Sequence, residues 1–268
     1  MRPTLPLPRD AATRFVEPPH NPVFVADIHL SWRKRHIARR FLAFLSQEAL
    51  GFDELFILGD LFEFWIGDEA LFVASPVIKA LKRYTGTGRK LYVMPGNRDV
   101  LLGAHFAHRT GATLITSPTV VTCHGKRILL AHGDEWCTLD PDYQAFRARV
   151  RSEAHTRSEA FQRQALSMAL PMRLIWALRA RSLSKRHKTQ RTPEQMDVVQ
   201  ASFLADAEKE NCQAIVHGHT HKPALYEESP VTRLVLPDWK EETDDSSSRY
   251  GWAQVDSQGA LKLVVRPL

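Results

Sequence analysis

Pro22-Val23-Phe24-Val25-Ala26-Asp27 is an apolar run that ends on a carboxylate, and the chain returns to this arrangement twice. Leu55-Phe56-Ile57-Leu58-Gly59-Asp60 is the second case, and Lys90-Leu91-Tyr92-Val93-Met94-Pro95 leading into Gly96-Asn97 is the third. Each reads as a buried strand, while Arg33 to Leu50 and Glu69 to Tyr84 between them carry helical periodicity. Strands alternating with helices predict an α/β fold, a sheet of parallel order with helices on its faces. In such sheets ligands bind beyond the carboxyl ends of the strands, where these polar residues stand.

Farther along, Thr119 to His124 and Arg127 to Ala131 flank a turn at Gly125-Lys126, a hairpin that leads into His132. Pro141 to Ser152, Glu159 to Leu183 and Pro193 to Glu210 read as helices. Strand patterns return at Ala214-Ile215-Val216, Thr232 to Leu236, Trp252 to Val255 and Leu261 to Val265. The expected organisation is a flexible leader over 1–21, one core over 22–140 and 211–268, and a helical insertion over 141–210.

The chain has 268 residues, 44% hydrophobic and 25% charged, as a soluble globular protein does. No apolar run reaches the roughly 18–20 residues that cross a bilayer. The proline-rich Met1 to Asn21 has no apolar signal core, so a cytoplasmic chain is expected, with contact to a membrane left open. Cys123, Cys137 and Cys212 are too few and too scattered for a disulfide framework or a zinc site, and read as reduced thiols. A net charge of +6 suggests an anionic partner without choosing among nucleic acid, phospholipid and nucleotide.

Five polar clusters close apolar runs: Asp27-Ile28-His29, Gly59-Asp60, Gly96-Asn97-Arg98-Asp99, His132-Gly133-Asp134 and His217-Gly218-His219-Thr220-His221. A lone aspartate at a strand end is usually a cap and a lone histidine usually structural. Five clusters at one predicted edge are better explained as a site. Mixed imidazole and carboxylate donors suit hard or borderline divalent ions such as Mn²⁺. In an extended segment side chains alternate, so Asp27 and His29 would project to one side, as would His217 and His219. Asp60 stands where it could bridge two ions, which in such sites lie about 3.5–4 Å apart.

These blocks, in this order from Asp27 to His221, resemble the calcineurin-like metallophosphoesterase superfamily. The resemblance implies a β-sandwich core flanked by helices. It implies one metal held by Asp27, His29, Asp60 and His219, and another by Asp60, Asn97, His132 and His217. Two Mn²⁺ ions are the expected cofactor, with Asp60, Arg98 and His132 carrying catalysis. The superfamily usually has histidine after Gly-Asn, and here that position is Arg98. Arginine clamps phosphate oxygens in a bidentate fork and is a poor proton donor near neutral pH, which favours a diphosphate substrate.

Longer strings narrow the resemblance. Gly59-Asp60-Leu61-Phe62-Glu63-x-Trp65-Ile66-Gly67-Asp68, Gly96-Asn97-Arg98-Asp99-x-Leu101-Leu102-Gly103 and Ala131-His132-Gly133-Asp134-x-x-Cys137-Thr138 are similar to the UDP-2,3-diacylglucosamine diphosphatase family of lipid A synthesis. That family cleaves UDP-2,3-diacylglucosamine to UMP and 2,3-diacylglucosamine 1-phosphate, attacking the phosphorus next to uridine. The resemblance implies substrate contacts at Asn97, Arg98, Asp140, Ser184, Lys188, Arg191, His217 and His221. His221 reads either as a substrate contact or as support for a ligand. The apolar Ala165 to Leu178, ringed by Arg173, Arg179, Arg181, Lys185, Arg186, Lys188 and Arg191, would be a lid that shelters acyl chains and docks on the inner leaflet. The other reading is the core of a small helical subdomain. A monomer on the cytoplasmic face of the inner membrane, with no nucleic-acid partner, is expected. The rivals are a phosphoesterase acting on a soluble nucleotide or nucleic acid, and a scaffold that keeps the fold without catalysis.

Overall fold

The computed structural model describes residues 12–14, 16–65, 67–68, 74–151, 191–227, 230–241 and 248–268. In chain order its elements begin with β1 (Ala12–Thr13), β2 (Pro22–Val25), α1 (Arg35–Ser46), β3 (Glu54–Leu58), α2 (Ser75–Gly86) and β4 (Lys90–Met94). There follow α3 (Ala104–Thr110), β5 (Thr113–Ile115), β6 (Thr119–Cys123), β7 (Lys126–Ala131) and α4 (Pro141–Arg151). The chain closes with α5 (Gln200–Lys209), β8 (Ala214–His217), β9 (Ala224–Tyr226), β10 (Thr232–Val235), β11 (Arg249–Val255) and β12 (Leu261–Pro267).

The strands form two sheets, ordered β1-β5-β4-β3-β2-β11-β12 and β6-β7-β8-β10-β9. Pairing is parallel from β1 to β2 in the first and from β7 through β10 in the second. Strand alternation sorts the apolar side chains into three layers of core. Val23, Val25, Leu55, Ile57, Leu91 and Val93 pack against Ile37, Phe41, Phe44, Ile78, Leu81 and Phe106 of the first three helices. Phe24, Phe56, Leu58, Tyr92 and Met94 meet Val121, Ile128, Leu130, Val216 and Leu234 of the other sheet. Leu129, Ala131 and Ile215 meet Trp136, and Phe203 and Ala207 of α5. The result is a β-sandwich with helices on both outer faces.

Two expectations change. Part of the expected leader is built into the fold: Ala12–Thr13 pair with Leu114–Ile115, Val16 is buried, and Glu17 bonds Lys90 at 2.5 Å. The last part of the expected insertion, α5, covers the second sheet. The expected helix over 159–183 lies outside the described residues. Short elements without a readable period, β1, β5, β9 and α3, are additions.

Candidate metal centre

Strands β2, β3, β4, β7 and β8 deliver their polar clusters to one edge of the sandwich. There the backbone turns sharply. Asp27, His29, Asp60, His219 and His221 all take positive φ, between 52° and 68°. Side chains at Asp27 and His29 therefore converge through left-handed kinks, which replace the extended alternation expected from spacing. Bonds between the loops hold the kinks: Asp27 N–H donates to the Gly59 carbonyl at 3.1 Å and His29 N–H to that of Asp60 at 2.9 Å. Arg98 N–H donates to Asp60 Oδ1 and His219 N–H to Asp27 Oδ2, both at 2.8 Å.

Two donor groups result. In the first, His221 Nε2 lies 3.3 Å from His29 Nε2 and 3.4 Å from Asp27 Oδ1. His29 Nε2 is 3.9 Å from both Asp27 Oδ1 and Asp60 Oδ2. In the second, His132 Nδ1 is 3.0 Å from the Leu58 carbonyl, to which it can only donate. Its Nε2 faces Asn97 Oδ1 at 3.0 Å and Asp60 Oδ1 at 3.7 Å. The His219 ring stands edge-on to the His132 ring at 5.0 Å. Asp60 thus offers one oxygen to each group.

These atoms fit a divalent cation. Metal–ligand bonds of about 2.1 Å place neighbouring donors roughly 3.0–3.5 Å apart, and three of these six separations lie in that range, the others reaching 3.7–3.9 Å. Asp27 Oδ1 is buried without a hydrogen-bond partner, a costly state unless a cation takes it up. Burial holds His29 well below its ordinary pKa, and burial and His132 hold His219 near 3. Both imidazoles are then neutral donors, as ligation needs. Burial also raises the Asp60 carboxyl. At His132 burial is outweighed by Asp60, Asp134 and Asp27, which push it to about 9. Carboxylates that draw a proton onto the buried His132 mark a place deficient in positive charge.

His217 does not join them, contrary to its expected role as ligand and substrate contact. Its ring is fully buried, with Nδ1 2.9 Å from the Gly218 carbonyl and Nε2 3.3 Å from the Arg233 guanidinium. His221 takes its place among the donors, and His219 moves to the group of Asn97 and His132. The signal was in the sequence: the Gly-His-x-His block counted from Gly218 has its histidines at 219 and 221. Arg98 is half-buried at the rim, and after burial its charge is among those acting on His29 and Asp60. Asp140 and Arg191, expected as substrate contacts, pair with each other, and Asp140 Oδ1 also accepts from Tyr143 N–H at 2.9 Å. Ser184 and Lys188 lie outside the described residues.

Asp99 and Asp134 stood in the polar clusters of the sequence without a role, and Asp238 was not singled out; all three support the centre. Asp238 lies 3.5 Å from His221 Nδ1 and is bound by Arg249, so it can orient the imidazole. Asp99 accepts from Gly96 N–H at 2.7 Å and from Phe62 N–H at 3.2 Å, tying the Asn97 loop to the Asp60 loop. Asp134 accepts from Tyr143 Oη at 2.8 Å, Arg147 Nε at 3.0 Å and Arg151 Nη2 at 3.2 Å. It binds α4 to the His132 loop.

A His/Asp/Asn donor cluster at the carboxyl edge of a helix-flanked sandwich defines the class, and the chain belongs to the calcineurin-like phosphoesterase family, whose profile matches residues 21–223. Within it the chain is 40% identical over 224 residues to the UDP-2,3-diacylglucosamine hydrolase of Marinobacter nauticus, covering 82% of this chain and 89% of that one. The protein of the same name from Escherichia coli O7:K1 is 40% identical over 230 residues, covering 82% and 91%. By sequence the chain stands in the UDP-2,3-diacylglucosamine hydrolase branch of the family. Among solved structures, an archaeal phosphodiesterase aligns over 92% of this chain and 99% of its own, with TM-score 0.47 and 11% identity.

Proposed function

We propose that this chain hydrolyses the diphosphate of UDP-2,3-diacylglucosamine at the α-phosphorus, giving UMP and 2,3-diacylglucosamine 1-phosphate, with two Mn²⁺ ions. The observation that carries this reading is 40% identity along 82% of the chain to hydrolases of that name, with all seven donor positions of the site filled. Asp27, His29, Asp60 and His221 would hold one ion, and Asp60, Asn97, His132 and His219 the other. Bound there, a divalent pair activates water and withdraws charge from phosphoryl oxygens.

The chain's own groups supply the rest. Arg98 is anchored through its backbone to Asp60, which holds the root of its side chain beside the donors, and its guanidinium can fork onto phosphoryl oxygens there. The departing sugar 1-phosphate has a second pKa of about 6 and leaves without a donated proton. An arginine suffices where an alkoxide would need an acid.

A substrate with acyl chains fits a peripheral protein at a membrane surface, and in this reading that surface is the cytoplasmic face of the inner membrane and the chain acts there as a monomer. No described helix is long and apolar enough to cross a membrane. The test is release of UMP from UDP-2,3-diacylglucosamine by the purified protein with Mn²⁺, against a chelated control. Cyclic nucleotides and nucleic acid serve as competing substrates. Hydrolysis of those alone would refute the assignment in favour of a soluble-substrate phosphoesterase.

A further inference from the structure

We propose that the exposed segment 32–39 is a docking surface for an anionic phospholipid bilayer at the mouth of the metal centre. Trp32 is 71% exposed, whereas Trp65, Trp136, Trp239 and Trp252 are all buried. A tryptophan left in water forgoes the stabilisation its burial brings. The Arg33 guanidinium lies over its ring, 4.7 Å from the centroid. Arg35, His36 and Arg39 follow, all exposed. Lys34 is drawn to Glu63 at 3.6 Å and His36 to Glu241 at 3.9 Å. Among the described residues, no carboxylate lies within ion-pair distance of Arg33, Arg35 or Arg39.

Stability does not account for these charges. They stand at the start of α1, whose first turn holds no acidic residue. Cations there oppose the helix dipole and weaken the helix. An aromatic ring beside several cations is instead the composition of a membrane–water interface, the ring at headgroup level and the cations on anionic lipid.

Position supports the same partner. The segment leaves the site directly after His29 and is fixed at its base, where Leu30 bridges Phe62 and accepts from Glu63 N–H at 3.0 Å. Leu139 and Phe146, 54% and 52% exposed, stand just before and on α4, the helix that Asp134 ties to the loop of the donor His132 at the site edge. A bilayer against this edge would face the donors. The proposal deepens the lipid-substrate reading above, but docking requires no chemistry and is tested apart from it.

The experiment is sedimentation with phosphatidylglycerol-containing and pure phosphatidylcholine vesicles, on wild type, Arg33→Gln/Arg35→Gln and Trp32→Ala. The wild type should bind the anionic vesicles far more tightly than the phosphatidylcholine ones. Removing two charges should weaken that binding about 25-fold, roughly fivefold per charge. Trp32→Ala should lower the binding that survives in about 0.5 M salt, where the arginine contribution is screened. Hydrolysis of detergent-dispersed substrate should be unchanged in both variants. Equal binding to both vesicle types, wild-type binding by both variants, or parallel loss of dispersed-substrate activity would overturn the docking surface. Selective vesicle binding that the variants lose, without hydrolysis by any of them, would leave the surface standing and remove the proposed reaction.

Discussion

Replacing His221 and His217 in turn tests the centre where spacing and geometry disagree. His221 Nε2 lies within 3.4 Å of both His29 Nε2 and Asp27 Oδ1, so His221→Ala removes one of the four donors that would hold the first proposed ion. Changing a residue that merely supports a ligand costs about 10–100-fold in metal affinity. Loss of a direct donor should exceed this, giving at least a ~100-fold loss and a protein purified with one ion fewer. His217→Ala removes a buried ring, its bond to the Gly218 carbonyl and its contact with Arg233. One net hydrogen bond is worth about 1 kcal/mol and the cavity adds more, together roughly 2–3 kcal/mol. For a chain of this size that lowers Tm by roughly 4–12 °C. Metal content by mass spectrometry, chelator competition and thermal melts separate the two. The reasoning is refuted if His217→Ala loses an ion while His221→Ala keeps both.

Three further outcomes follow from the same geometry. Asp60→Ala and His132→Ala should each abolish turnover while circular dichroism stays that of a folded protein, and full activity in either would sink the two-ion assignment. Gly96→Ala should disrupt the centre, because a Cβ there collides with Asp60 Oδ1 and with the Asp60 backbone nitrogen, neither of which can retreat; normal Mn²⁺ affinity would contradict this. Asp238→Asn should weaken metal binding about 10–100-fold through His221, measured by chelator competition, and unchanged affinity would deny Asp238 an orienting role.

The core strands around the site were legible because both of their faces are buried, which makes their apolar residues nearly continuous, and runs such as 54–58 and 90–94 allow few other readings. The site edge was legible because its aspartates and histidines follow those runs directly. What escaped depends on geometry that spacing does not carry. Three-residue strands such as Thr113–Ile115 hold no period to detect. Asp238 is distant in sequence from the imidazole it supports. His217 is a different case: it has the residue type of a ligand, the Gly-His-x-His block counted from Gly218 passes over it, and its ring, directed toward Arg233 and Trp136, stays out of the centre.

Backbone strain at the centre connects these findings. Seven described non-glycine residues have positive φ, and five of them are donors of the proposed centre. Each such residue costs roughly 1–2 kcal/mol, although Asp and His tolerate the region better than most. The kinks serve a purpose that straight strands cannot. A strand continuing past Val25 would carry Asp27 and His29 apart at about 3.3 Å per residue. A left-handed residue at each position instead folds both side chains back to the same point, where His221 meets them. The bonds from Asp27 and His29 to the Asp60 loop then fix that conformation before any ion arrives. The same kinks account for His221 succeeding where His217 does not. His217 is the last residue of β8, still in the sheet, so its ring follows the strand's outward face. His219 and His221 lie beyond the strand, where left-handed turns redirect them. In this centre, leaving the strand is what brings a histidine among the donors.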